Sequence, residues 1–141
     1  MTIPGIVGEI LANKQDNVWT VQPNETVLRA IQIMAEKNIG ALPVVDRGRL
    51  VGVISERDYT RKVVLQGRVS RQTPVQDIMS AHPQTASPDA TVVDCMQVMT
   101  KNKIRHLPVL DGDALVGIVS IGDLVNWIIS AQNVAIDQLE N

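Results

Sequence analysis

Residues 42–58 read LPVVDRGRLVGVISERD and residues 107–123 read LPVLDGDALVGIVSIGD, and this duplicated stretch decides the fold. An offset of 65 residues aligns the two copies. The alignment extends without a gap over 23–58 and 88–123, where 15 of 36 positions are identical. Self-similarity at a fixed offset is the signature of a repeated structural unit, so we predict a duplicated chain.

Both copies predict the same order of secondary structure. Apolar residues recur at helical spacing over 27–34 and over 92–99. Each helical pattern is followed by two short runs rich in valine and isoleucine, with turn residues between them, which predict a β-hairpin. The paired runs are 41–45 with 50–54 and 107–110 with 114–119.

The remaining elements complete the repeat. A short extended piece precedes each helix, at 18–21 and 84–86, and a second helix begins at Ser55 and at Ser120. We therefore predict an α+β fold in which two pseudo-twofold-related β-α-β-β-α repeats pack into one compact module. Residues 1–70 would form the first repeat with an N-terminal helix, and residues 71–141 the second repeat with a C-terminal helix. One such repeat alone, at about 60 residues, would have a marginal core.

Composition narrows the classes of function. The net charge of −2, with two Trp, one Tyr and no Phe, gives neither the basic field nor the stacking surface typical of nucleic-acid binding. No apolar run approaches the roughly 18 residues that span a membrane. The single cysteine, Cys95, lies on the apolar helical face and is expected in the core. With two histidines and one cysteine we expect no metal site, and we expect a cytoplasmic protein.

Each repeat carries a Ser-x-x-Asp motif where its second helix begins, Ser55 to Asp58 and Ser120 to Asp123. In its simplest role the motif is a capping box, which supplies hydrogen-bond acceptors to free backbone N–H groups at the start of a helix. The same geometry also suits a ligand. A helix N-terminus favours phosphate, and a carboxylate one turn along can accept hydrogen bonds from the hydroxyls of a ribose.

These motifs resemble those of the CBS domain, in which a Gly, two apolar residues, Ser or Thr, two variable residues and Asp follow a Leu-Pro-Val strand. The resemblance covers nearly the whole chain and implies a pair of CBS repeats, often dimeric, that binds an adenosine-containing nucleotide in clefts between the repeats. The implied ligands are AMP, ADP, ATP, S-adenosylmethionine or NAD. The matching serine would contact phosphate and the matching aspartate the ribose.

The resemblance also implies that adenine is held by the repeat opposite to the aspartate. The cleft of Asp123 would use the first-repeat residues Val21, Gln22, Ile39, Gly40 and Ala41. The cleft of Asp58 would use the second-repeat residues Thr85, Ala86, Ile104, Arg105 and His106. Ile39 and Ile104 would pack on the base, and backbone groups of Val21 and Ala86 would read its edge.

The two clefts differ in charge. Arg57, Arg105 and His106 could converge on a di- or triphosphate in the Asp58 cleft, since guanidinium groups suit phosphate. The alternative is that both arginines are solvated surface residues. The Asp123 cleft, with Ile121, Gly122 and small facing residues, is expected to be nearly uncharged. It would be empty, weaker, or hold the less charged end of a molecule such as NAD.

The function predicted from the sequence is a nucleotide-binding regulatory or sensor module. A structural protein-interaction module without ligand is the alternative. No nucleophile–base set or Walker-type loop is visible, so we expect no enzyme. Apolar residues near the C-terminus, through Leu139, would either cap the core or form a homodimer contact, and we favour the dimer. A regulated partner protein would be a separate chain.

Overall fold

The computed structural model describes residues 3–14 and 17–140 and divides into two compact units. One unit comprises Val18–Pro83, and the other combines the N-terminal segment up to Asn17 with the chain from Gln84 onward. Both contain helices and a small antiparallel sheet, so the predicted α+β fold is confirmed.

The Val18–Pro83 unit contains the first repeat. Helix α2 (Val27–Lys37) begins at Thr26, whose hydroxyl accepts a hydrogen bond from the Arg29 N–H. Strands β1 (Ala41–Asp46) and β2 (Arg49–Ser55) form the predicted hairpin. A four-residue helix, α3 (Glu56–Tyr59), runs into a π-helical turn at Thr60–Val64. A two-residue strand, β3 (Ser80–Ala81), pairs with β2.

The other unit contains the second repeat and begins with helix α1 (Val7–Lys14). Helix α4 (Val92–Asn102) precedes the hairpin of β4 (His106–Asp111) and β5 (Ala114–Ser120). Helix α5 (Ile121–Glu140) follows β5 directly. The helical spacing and the paired runs in the sequence therefore correctly predicted these elements.

The extended piece that begins each repeat is shorter than predicted. It is reduced to one parallel bridge per unit, Val21 with Val44 and Ala86 with Val109. The backbone N–H of Val21 donates to the Pro43 carbonyl at 3.1 Å, and its carbonyl accepts from the Val45 N–H at 2.8 Å.

The core of each unit is built from the predicted helical face and the hairpin. Val27, Ala30 and Met34 pack with Leu42 and Ile54 in the first-repeat unit. Their counterparts in the other unit are Val92, Cys95, Met99, Leu107 and Val119. Cys95 is buried as predicted, and burial is the main reason its thiol pKa is raised, with Asp94 adding to the effect.

A second, shorter repeat completes both cores. Residues 7–11 read VGEIL and residues 75–79 read VQDIM, at an offset of 68. The Val7 and Gly8 N–H groups donate to the Ala90 and Pro88 carbonyls, each at 2.9 Å. Residues 75 and 76 donate in the same way to the carbonyls of residues 25 and 23, at 2.8 and 2.9 Å. Each repeat is thus closed by the segment that precedes the other repeat in the chain.

The compact units therefore divide the chain differently from the predicted 1–70 and 71–141. The N-terminal helix packs with the second repeat because Val7 and Ile10 are buried against Val92, Cys95 and Met99. The apolar pattern of residues 7–11 shows that this segment needs a core, but the pattern cannot show which repeat supplies it.

Candidate functional site

The serine–aspartate motif of the first repeat forms a complete capping box. The Asp58 N–H donates to Ser55 Oγ at 3.2 Å, and the Ser55 N–H donates to Asp58 Oδ2 at 2.9 Å. The Ser55 hydroxyl donates to the same carboxylate oxygen at 3.1 Å. The capping role predicted from the sequence is confirmed, and it holds the carboxylate in one orientation.

A lysine completes the surroundings of Asp58. Lys62 Nζ lies 3.0 Å from Asp58 Oδ1 and also donates to the Ile78 carbonyl at 2.8 Å. The Asp58 side chain is only 13% exposed, so this ammonium offsets part of the cost of removing the carboxylate from water. Oδ2 of Asp58 thus accepts hydrogen bonds from Ser55, and Oδ1 is paired with Lys62.

The second repeat forms the same reciprocal pair. The Ser120 N–H donates to Asp123 Oδ2 at 2.9 Å, and the Asp123 N–H donates to Ser120 Oγ at 3.1 Å. Here the helix that follows is α5, which is 20 residues long, instead of the four-residue α3. The phosphate-favouring end of a helix dipole is therefore better developed in the second repeat.

Lys14 is the residue of this site that sequence reasoning missed. Its Nζ lies 3.0 Å from Asp123 Oδ2 and donates to the Ile118 carbonyl at 3.2 Å. The expectation of nearly uncharged surroundings for Asp123 is therefore wrong. The position that matches Lys62 in the repeat is Trp127, and the cation comes instead from α1, 109 residues away in sequence.

The predicted site residues at the start of the hairpins lie beside the motif of their own repeat. The Gly40 carbonyl accepts from the Glu56 N–H at 3.1 Å, and Ala41 pairs with Ser55 across the hairpin. In the other unit, the Arg105 carbonyl accepts from the Ile121 N–H at 2.8 Å, and His106 pairs with Ser120. The assignment of these residues to the aspartate of the opposite repeat stays a prediction.

The backbone groups of Val21 and Ala86 are less available to an adenine base than predicted. Ala86 donates its N–H to the Pro108 carbonyl at 3.0 Å and accepts from the Leu110 N–H at 2.9 Å, as Val21 does in its own unit. Both N–H groups are therefore used by the fold. Each carbonyl keeps one lone pair for a ligand.

The other predicted contacts differ in exposure. Ile39 and Ile104 are half-buried and pack against the core of their own unit. Exposed positions comprise Gln22, Arg57, Thr85, Arg105 and Gly122. The exposure of Arg57 and Arg105 is compatible with both predicted roles, contact with a phosphate and solvation at the surface.

The surroundings of His106 lower its pKa. Burial lowers its pKa, the carboxylate of Asp123 raises it, and Lys14 and Arg105 lower it further. Because the net direction is downward, the unfolded chain takes up a proton at a higher pH than the folded chain. Native stability is therefore lost as the pH falls from the ordinary histidine pKa of about 6.5 towards the lower folded value.

We expect acidification from about pH 7.5 to about pH 5.5 to lower the melting temperature less in His106→Gln than in the unchanged protein. Differential scanning calorimetry at the two pH values would measure this. His82→Gln is the matched control, since His82 is exposed, and it should keep the full pH dependence. An unchanged pH dependence in His106→Gln would show that His106 does not contribute.

Two α+β units, each with a hairpin that leads into a serine-capped helix bearing an aspartate, define a duplicated CBS-type protein. The chain belongs to the CBS-domain family, whose sequence model matches residues 7–65 and 75–130. YhcV of Bacillus subtilis is 42% identical over 107 residues, which cover 76% of each chain. The mitochondrial CBSX3 of Arabidopsis thaliana is 44% identical over 111 residues, which cover 75% of this chain and 54% of CBSX3.

Solved structures share the fold. A CBS-domain protein from Burkholderia ambifaria is 46% identical, with a TM-score of 0.86, covering 91% of this chain and 96% of that one. The CBS pair of MJ0100, solved with 5′-methylthioadenosine and S-adenosylmethionine, is 31% identical, with a TM-score of 0.77 and coverages of 86% and 94%. A hexameric cyanobacterial CBS-CP12 protein is 28% identical, with a TM-score of 0.78 and coverages of 87% and 72%.

Within the described ranges, 3–14 and 17–140, no helix has the length and apolar character needed to cross a bilayer.

Proposed function

We propose that this CBS pair is a regulatory module that binds an adenosine-containing nucleotide, AMP, ADP, ATP or NAD, at its serine–aspartate motifs. The observation that carries the proposal is the fixed, partly buried carboxylate at the start of the second helix in both repeats. Support comes from the family, because the related MJ0100 pair was solved with two adenosine-containing ligands.

The chemistry of the site suits a nucleotide. The cap holds the carboxylate in one orientation, and its oxygens can accept hydrogen bonds from both ribose hydroxyls once the paired lysine moves aside. The ion pairs with Lys62 and Lys14 would yield at little cost, since such partly exposed pairs contribute about 0–1 kcal/mol. A displaced lysine would remain close enough to attract the phosphate. We propose that the Asp58 site, with Arg57 nearby, takes the more phosphorylated ligand.

We further propose that the nucleotide is sensed and not consumed. The Ser55 hydroxyl donates to the carboxylate of its own cap, and Ser120 Oγ accepts from the Asp123 N–H. These hydroxyls therefore serve the capping boxes. A carboxylate orients a ribose without breaking any of its bonds, so the consequence of binding would be a change in shape read by a partner protein.

Association of two copies of the chain would let a change in shape on ligand binding alter the assembly. Val125, Ile129, Val134 and Ile136 of α5 are 40–56% exposed, and the related CBS-CP12 protein is hexameric. We propose a homodimer that works in the cytoplasm, where adenine nucleotides are abundant.

The proposal is tested by thermal unfolding in the presence of AMP, ADP, ATP and NAD, each added separately. A ligand at 100 times its dissociation constant should add about 2.7 kcal/mol of stability. Isothermal titration calorimetry of each stabilising ligand would then give the stoichiometry. Unmoved melting curves with all four would favour a structural interaction module without ligand.

A further inference from the structure

In the first-repeat unit, a lysine joins the aspartate of the motif to the segment that closes the core. We call residues 75–79 the first closing segment. Lys62 Nζ lies 3.0 Å from Asp58 Oδ1 and donates to the carbonyl of Ile78, within this segment, at 2.8 Å. A lysine ammonium has several N–H donors, so it can serve both acceptors at once. The carboxylate that we propose for the ribose is thus connected by one side chain to the core-closing segment.

The second-repeat unit makes the same connection with a different lysine. Here α1 is the second closing segment, and its last residue, Lys14, lies 3.0 Å from Asp123 Oδ2 and donates to the Ile118 carbonyl at 3.2 Å. The position equivalent to Lys62 is Trp127, so the sequence repeat does not account for the second lysine. The same link is therefore made from two different elements of the fold, which distinguishes it from an incidental surface ion pair.

The position of Lys62 affects how firmly the first closing segment is held. Backbone N–H groups of residues 75 and 76 fix the start of the segment to the first repeat. Near its end, the Ile78 side chain is buried and the Ile78 carbonyl accepts from Lys62. A partly buried carbonyl that loses its donor is unfavourable. Movement of Lys62 away from this carbonyl would therefore favour local opening of the segment.

We propose that a ligand at the motif loosens the closing segment by drawing this lysine away, so that the order of the segment depends on occupancy of the aspartate. The proposal rests on the proposed function, because it concerns the regulation of the same site. A ribose that engages both oxygens of Asp58 competes with Lys62, and a phosphate attracts the released ammonium. The chain runs from each closing segment into the other repeat, so occupancy of one site acts on that connection.

The link is tested first without ligand, by hydrogen exchange of the full chain followed by mass spectrometry. Asp58→Asn removes the charge that holds Lys62, and we expect exchange in residues 75–79 to become about threefold faster or more. Lys62→Met should give the same increase, and Lys62→Arg, which keeps the charge and the donors, should restore slow exchange. Asp46→Asn, at an exposed aspartate of the same unit, is the matched control and should leave exchange slow. Unchanged exchange in Asp58→Asn would overturn the link.

The second test adds AMP or ATP at about 1 mM to the unchanged protein. We expect exchange in residues 75–79 to become about threefold faster, although ligand binding slows exchange in the rest of the unit. In Lys62→Met this response to the nucleotide should be lost. Arg68→Met is the matched control, because Arg68 also contacts this segment, 2.9 Å from Asp77, and should keep the response.

The outcomes separate the proposed regulation from the proposed function. A higher melting temperature with nucleotide, together with unchanged or slower exchange in residues 75–79, would overturn the regulation and leave nucleotide binding standing. An unchanged melting temperature with AMP, ADP, ATP and NAD would defeat both proposals, and the Asp58→Asn result would still decide whether the aspartate holds the closing segment. The same response to nucleotide is expected in α1, and it should be lost in Lys14→Met.

Discussion

Asp58→Asn is expected to weaken binding of the phosphorylated nucleotide by about 10- to 150-fold, the effect of losing about 1.5–3 kcal/mol of hydrogen bonds to a charged acceptor. Asparagine keeps one oxygen for the Ser55 N–H and so keeps the cap. It replaces the second carboxylate oxygen by a donor, which faces a ribose hydroxyl less favourably. Isothermal titration calorimetry with AMP or ATP would measure the loss.

The cost of Asp58→Asn to folding should be small. The variant loses the ion pair with Lys62, worth about 0–1 kcal/mol for a lysine that is nearly half exposed. Asp77→Asn is the matched control, because Asp77 also forms an ion pair, with Arg68 at 2.9 Å, in the same unit but away from the motif. Full nucleotide affinity in Asp58→Asn, with stability equal to that of Asp77→Asn, would remove Asp58 from the site.

The sequence predicted the repeated helices and hairpins because residues close in sequence specify these elements. The apolar spacing of each first helix, the turn residues of each hairpin and the serine–aspartate caps all act within about seven residues. Each then recurs 65 residues later, which confirms the same inference independently. Helix α5, which extends to Glu140, agrees with the C-terminal helix predicted for the second repeat.

Contacts between segments that are distant in sequence could not be predicted from these local patterns. Nothing in the sequence around Lys14 pairs it with Asp123, and the 65-residue offset predicts Trp127 at the equivalent place. The offset of 68 between residues 7–11 and 75–79 is out of phase with the main repeat, so the common role of these segments is visible only from their packing. A π-helical turn after α3 buries Val63 and leaves its neighbour Val64 exposed, which the sequence pattern did not predict.

Gly5 lies at one of these unforeseen contacts, and Gly5→Ala is expected to destabilise the chain by about 3 kcal/mol. Gly5 has φ of +112°, a conformation that side chains disfavour. A Cβ there would lie 2.7 Å from Trp127 Cε2 and 2.8 Å from Cζ2. To relieve the overlap, the segment would have to move, breaking the bond from the Trp127 indole to Pro4 and loosening the buried Val7. Urea unfolding would measure the change.

Gly48→Ala separates backbone strain from this overlap. Gly48 also has positive φ, +78°, but a Cβ there meets nothing within 4 Å, so only the strain of about 1 kcal/mol should appear. The excess loss in Gly5→Ala then measures how firmly the N-terminal segment closes the second-repeat core. Equal losses in the two variants would mean that the segment yields without cost. The Lys14–Asp123 pair, seated on the same segment, would then be too loosely held to shape a ligand site.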